Sequence, residues 1–257
     1  MSGGKVAEPA RVDLHVKILD ERVVDRAKRR GLDVLVYAPH FERLPRIQRE
    51  ARRYSDEELV VVPAREVFTG DWRSRRHVLA IGLDEPVPDF ITLEAAMAEF
   101  ERQGAAVLVP HPEFLNVSVD EQTMREFGDV VDAVETYNPK HWPHHNRRAR
   151  AIAAETDTPA FTSSYAHLHS TVGEAWTEFD RRVEEAADLV AALRDGAPRR
   201  VRHRPGTGHR LRCALEFAHL GYENSWSKFD RLVLSGMEPT HPDQPAYDGR
   251  FDDVSCY

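Results

Sequence analysis

Five of the thirteen histidines (His15, His40, His77, His111 and His167) and one glutamate, Glu66, sit beside short apolar runs that read as strands. The runs are VDLHV, VLVYAPH, LVVVPARE, HVLAIGL, AVLVPH and AFTSSYAH. Neutral imidazole and carboxylate suit zinc, manganese or iron as ligands. A carboxylate following an apolar run such as Leu59–Pro63 needs a partner to offset its desolvation, and a bound cation would be one. Chemistry-bearing groups that recur at strand ends, far apart in the chain, meet where a β/α barrel gathers those ends on one face.

The elements between them fit that architecture. Apolar runs alternate with helical patterns, as in parallel βαβ units. VDLHV is followed by a helix around Glu21–Arg30 with Gly31 as its stop, then by a strand over Val34–Tyr37 and a helix over Leu44–Tyr54. Val60–Pro63 and Val78–Gly82 flank a polar loop, Thr69–Arg76, that predicts a hairpin-like excursion. Further helices are expected near Thr92–Gln103, Val119–Phe127, His145–Glu155 and Gly173–Leu193. Strands are expected over Ala106–Val109, Ala133–Thr136 and Ala160–Thr162. After Asp195 the chain turns rich in Arg, Gly and Pro, and Leu211–Leu234 reads as a helix. The predicted organisation is a flexible leader (1–10), an α/β barrel (11–195), a basic connection with a C-terminal helix (196–237) and an irregular tail (238–257).

Composition narrows the function. The 257 residues suffice for one large core, and 41% are apolar. No stretch approaches the ~20 apolar residues that cross a bilayer, so no membrane partner is expected. The opening MSGGKVAEPA has no apolar signal region, and the only cysteines are Cys213 and Cys256, far apart and in no metal spacing. A reducing cytoplasm is the expected location. The net charge of −8 disfavours generic binding to phosphate backbones. The stretch Arg199–Arg212 carries no aromatic residue for base stacking, so it reads as a surface connection or a flap over the barrel mouth, and a nucleic-acid partner is not expected. Nothing in the sequence sets the oligomeric state.

From about Val12 to Gly173 the order of motifs resembles the PHP (polymerase and histidinol phosphatase) family of metal-dependent phosphoesterases. DLHVK resembles the family's DLHxH, GLDVLVYAPH its GLDxxxITDH, and VPHPEF its AHP element. PAREV and HVLAIGL resemble the later Glu and His motifs, VETYNPKHWPHHN the E-x-Y-N segment, and SSYAH the closing GSDAH. The resemblance implies a distorted TIM-like barrel of about seven strands with a divalent metal site on its strand-end face. On the family pattern Glu66, His77 and His111 would hold one ion, His40 and His167 part of a second site, and His15 with Glu66 part of what remains.

The departures from the family pattern bear on activity. Lys17 replaces the second His of the opening motif, Pro39 the Asp before His40, and Tyr165 the Asp of the closing motif. The acidic turn after the first motif is missing, with Asp20 nearby. One or two ions (zinc, manganese or iron) are therefore expected. The activity implied is hydrolysis of a small phosphomonoester or nucleotide-type substrate by metal-activated water. In that reading Lys17, Glu66 and His167 are the catalytic candidates, and Lys17, Arg65 and Arg76 the phosphate-binding ones, with Arg73 and Arg75 as further loop cations. Glu135 and Asn138 would orient the ligands. His141, His144 and His145 of HWPHH, and His169, are further candidates near the mouth. The alternative is a degenerate barrel that binds metal or a phosphorylated ligand without turnover.

Overall fold

The computed structural model describes residues 9–71, 73–114, 117–219 and 238–256. Among the described residues nine strands form one sheet: β1 (Ala10–Val16), β2 (Val34–Tyr37), β3 (Val60–Thr69), β4 (Arg76–Ile81), β5 (Ala106–Val109), β6 (Ala133–Tyr137), β7 (Ala160–Thr162), β8 (Ala175–Phe179) and β9 (Arg199–His203). Their order is β7-β6-β5-β4-β3-β2-β1-β8-β9. The helices are α1 (Glu21–Arg29), α2 (Leu44–Tyr54), α3 (Leu93–Gln103), α4 (Glu121–Glu126), α5 (Pro143–Glu155), α6 (Ala186–Arg194) and α7, described over 207–219.

The run β1-β2-β3 is parallel, as is β5-β6-β7, while β4 lies antiparallel between β3 and β5. The sheet curls until its ends nearly meet. The Thr162 amide donates to Thr177 Oγ1 on β8 at 3.0 Å, and that hydroxyl donates to the Thr162 carbonyl at 2.9 Å. A bridge between Val16 and Ala166 joins the end of β1 to the segment after β7.

Local signals explain the element ends. Asp20 caps α1 by accepting the Val23 amide at 2.8 Å, and the helix stops before Gly31, which takes a left-handed φ of +70°. Thr92 caps α3, and Gly104 ends it in the left-handed region. Strand alternation partitions the core. Val12, Leu14, Val34 and Val36 share one apolar cluster with Leu189, Ala192 and Leu193 of α6, which packs against the barrel end where β1 begins. Leu35, out of phase with Val34 and Val36, joins a second cluster with Val23 and Ala27 of α1, as does Val16, which lies past a register shift in β1.

Three expectations are corrected. The sheet has nine strands, not about seven. Gly173–Leu193 is not one helix: Ala175–Phe179 forms β8, and only Ala186–Arg194 is helical. The sequence AWTEF alternates buried and half-buried residues, the period of a strand with one covered face. The stretch read as a basic connection contributes β9, whose arginines protect an edge strand. Arg202 pairs with Glu178 at 2.8 Å and Arg200 with Asp180 at 3.4 Å. The expected helix Leu211–Leu234 begins earlier, at 207, and its part beyond 219 lies outside the described residues, as do positions 1–8 of the expected leader. The tail is irregular but packed, with Tyr247 and Phe251 in the apolar cluster beside α3. Among the described residues no helix is long and apolar enough to cross a membrane.

Candidate metal centre

All six strand-end residues reach one face of the barrel. β1 delivers His15 and, one step past its end, Lys17; the turns after β2, β5 and β7 deliver His40, His111 and His167. Glu66 lies within β3. His77 lies at the start of β4, not the end, because β4 runs antiparallel and pairs His77 with Phe68.

Glu66 is the hub and is fully buried. Its Oε2 accepts a hydrogen bond from Lys17 Nζ and lies 2.8 Å from His40 Nε2 and 3.7 Å from His15 Nε2. Its Oε1 faces His111 Nε2 at 3.3 Å and His77 Nδ1 at 3.7 Å. One candidate donor atom from each of Glu66, His77 and His111 lies within 4.8 Å of the other two.

The hydrogen-bond pattern shows what this geometry lacks. Ser118 Oγ donates to the Phe114 carbonyl at 2.7 Å, so towards His111 Nδ1, 3.0 Å away, it can only accept. The ring proton of His111 is thereby assigned to Nδ1. In the neutral ring, that would leave the lone pair on Nε2, facing a carboxylate oxygen. Both ring nitrogens of His77, and both of His15, are buried without a hydrogen-bond partner. Orphaned buried polar atoms are costly, and a cation between Glu66, His77 and His111 would satisfy one nitrogen of His77. The donor set fits a divalent metal ion.

Electrostatics agree. Burial pushes the imidazoles of His15, His77 and His167 well below their ordinary value, and that of His40 below it, so these rings are neutral. Burial raises the Glu66 carboxyl, but Lys17 and the surrounding histidines outweigh it and hold the group well below the usual range. Burial pulls the Lys17 ammonium down to about 8, against the opposing pull of Glu66.

Backbone geometry is fixed from beneath. His111, with φ of +36°, and Tyr165, with φ of +49°, occupy the left-handed region that non-glycine residues seldom adopt. Buried Glu135 accepts the His111 amide at 2.9 Å, the Asn138 side chain at 3.1 Å and the Ser163 hydroxyl at 2.9 Å. Asp13 accepts the amides of Ser164 at 2.8 Å and Gly173 at 3.0 Å. Glu135 and Asn138 thus lie beneath His111 and the turns after β6 and β7.

The other candidates are dispersed. Arg65 alternates to the opposite side of β3 from Glu66 and is buried in an ion pair with Asp89 at 3.0 Å. Arg76 leans on the Arg75 carbonyl at 3.1 Å and lies 3.9 Å from Asp120. Arg73 and Arg75 flank that loop, Arg75 over the Phe90 ring. His40 and His167 face each other with centroids 5.6 Å apart. His141 stacks on Phe114 at 3.9 Å and its ring lies 6.3 Å from that of His111. His144 and His145 sit further out on α5, and His169 is exposed.

Sequence reasoning missed Lys140 and Glu216. Buried Glu216, on α7, accepts the amides of His167 at 2.5 Å and Leu168 at 2.6 Å, and pairs with buried Lys140 at 2.9 Å. The available signal was a glutamate in the buried stripe His209, Cys213, Glu216, at helical spacing.

Comparison with known proteins points the same way. Residues 143–198 match the family model described as PHP-associated. The chain is similar to the crystal structure of PsfC from Pseudomonas syringae (TM-score 0.64, 20% identity), over 85% of this chain and 99% of that one. It is similar to a putative metal-dependent phosphoesterase from Bifidobacterium adolescentis (TM-score 0.54, 14% identity), over 72% of this chain and 97% of that one. It is also similar to the lesion-specific endonuclease PfuEndoQ from Pyrococcus furiosus (TM-score 0.55, 14% identity), over 75% of this chain and 57% of that one. The sequence matches no curated protein. The chain shares its α/β barrel fold with these structures, and its family match is confined to residues 143–198.

Proposed function

We propose that the protein is a metal-dependent phosphoesterase with a reduced centre, acting in the cytoplasm on a small phosphomonoester or nucleotide-type substrate. The carrying observation is the cluster at Glu66 Oε1: His77, buried with both ring nitrogens unpartnered, has Nδ1 3.7 Å from that oxygen, and His111 Nε2 lies 3.3 Å from it. Glu66, His77 and His111 would hold one divalent ion. When bound, such an ion supplies Lewis-acid polarisation of a phosphoryl oxygen and acidifies water.

The remaining steps belong to the chain's own residues. Lys17 Nζ places a positive charge on Glu66 Oε2, the side a second cation would share. That ammonium is suited to attract an anionic phosphate, and it favours a site of one ion over two. His40 and His167, neutral and facing each other, border the position where the phosphate would sit. Glu135 and Asp13 hold the backbone beneath them in place. Free Cys213 and Cys256 accord with a reducing compartment.

The test is elemental analysis of protein purified without chelator, followed by phosphate release from phosphomonoesters and nucleotides with manganese or zinc added. One ion per chain and turnover that vanishes in Glu66→Ala are expected. Equal background in both proteins would overturn the reading.

Lys17 also favours a second reading, a barrel that binds a phosphorylated ligand without turnover, because its ammonium already occupies one carboxylate oxygen. The double variant Lys17→His, Tyr165→Asp separates the two. Activity that appears only in the double variant identifies the natural protein as a binding barrel, whereas a changed metal preference alone leaves the enzyme reading in place.

A further inference from the structure

α7 packs by a narrow stripe: among its described residues, His209, Cys213 and Glu216 are buried, at helical spacing. Two of the three are polar, and each finds its partner on the barrel. His209 Nδ1 lies 2.8 Å from Glu174, which also takes Arg212 at 2.9 Å. Nearly two turns further along, Glu216 engages the turn after β7.

That second contact is aimed at the site. Glu216 Oε1 receives two consecutive amides, of His167 and Leu168, and Oε2 receives Lys140 Nζ. Lys140 Nζ also donates to the Tyr165 carbonyl and lies 4.8 Å from the Tyr165 ring centre. The same carbonyl accepts His167 Nδ1 at 3.0 Å. His167 Nε2 is thereby left as the free nitrogen of a ring whose backbone and proton are both tied to one small network. Tyr165 is held at a left-handed φ in the same stretch. Without Glu216, two buried amides would lack their acceptor and a buried ammonium its counter-charge.

We propose that α7 is part of the active centre, and that Glu216 is a positioning residue that fixes His167 through the backbone of residues 165–168. The expected effect on activity rests on the phosphoesterase reading; the effect on the backbone does not. A purely structural role predicts something different. If Glu216 merely clamped α7, loosening the helix at its other anchor would disturb residues 165–168 equally.

The test is amide hydrogen exchange of the full chain without metal, joined to kinetics with manganese and a phosphomonoester. Glu216→Gln should speed exchange of the His167 and Leu168 amides by about tenfold or more, with residues 106–111 unchanged. Arg212→Ala should loosen α7 while leaving those two amides within about twofold of the parent. In the kinetics, Glu216→Gln should lower kcat by about tenfold with KM little changed. Glu216→Asp, which keeps the charge on a shorter arm, should fall between parent and Gln in both readouts, and it keeps the test usable if the Gln variant fails to fold. Unchanged exchange at His167 and Leu168 in both Glu216 variants, or equal loosening by Arg212→Ala, would overturn the proposal. A parent without turnover but with the expected exchange pattern would defeat the phosphoesterase reading and leave this one standing.

Discussion

Two buried glutamates, Glu66 and Glu174, are built from the same ingredients and end in opposite states. Each carboxylate is removed from solvent and ringed by basic side chains. Around Glu174 the valences close: Oε1 takes Arg26 at 3.0 Å, Arg30 at 2.8 Å and Arg212 at 2.9 Å, and Oε2 takes His209 at 2.8 Å. Around Glu66 they do not, since His77 and His15 keep both ring nitrogens without a hydrogen bond. Burial pushes both carboxyls up, and the neighbouring cations and histidines pull both down. Charge balance alone therefore does not separate a brace from a site; unmet hydrogen-bonding valence does.

The largest test of the contrast is to remove each hub. Glu66→Gln should lower phosphate release by about a thousandfold, and it should destabilise the metal-free protein by about 3–5 kcal/mol because Lys17 is left buried without its counter-charge. Kinetics and urea unfolding measure the two effects separately. Manganese or zinc at about a hundredfold over its Kd should stabilise the parent by about 2.7 kcal/mol, and His77→Ala should abolish that gain in a thermal-shift series. Glu174→Gln is expected to cost about 2 kcal/mol, less than a fully buried pair because its arginines reach solvent, with metal content by elemental analysis unchanged.

Acid should act on the first centre. His15, His40, His77 and His167 are held neutral in the fold, while in the unfolded chain they take up protons below their ordinary value of 6.5. Unfolding then binds protons, so stability falls as pH drops through that value. Each such histidine contributes about 1.4 kcal/mol per pH unit below it. Urea unfolding of the metal-free protein at about pH 7 and 5.5 should show the loss, and His77→Gln should make it shallower. The smallest effect belongs to Arg212→Gln, which should cost about 1 kcal/mol by the same measurement, since Arg26 and Arg30 remain on Glu174. A larger cost would mean that the brace depends on one arginine.

Much of the barrel was legible in the sequence because parallel strands buried on both faces are near-continuous apolar runs. β2 and β5 follow that rule, and the histidines beside such runs mark the functional face. β8 and β9 were harder to see. The five residues of AWTEF alternate too briefly to stand out from the apolar spacing of Val183 and Leu189, and β9 has a single apolar residue, Val201, among arginines and a histidine. The ligands were readable as residue types; their supports were not. Glu216 and Lys140 act across 76 positions of chain, and no local pattern announces a contact of that reach. Arg65 shows the converse limit. Its position beside Glu66 suggested a phosphate contact, yet strand alternation sends its side chain to Asp89.

The pairing of Lys17 with Glu66 bears on how the protein is assembled. A carboxylate in that position would ordinarily need its ion before the surrounding barrel could close. Here the chain brings its own counter-ion, so folding and metal loading become separate events. On the proposed function, chelator should silence the protein without unfolding it. A cell short of metal would then store intact, dormant copies that regain activity when ions return, with no new synthesis needed.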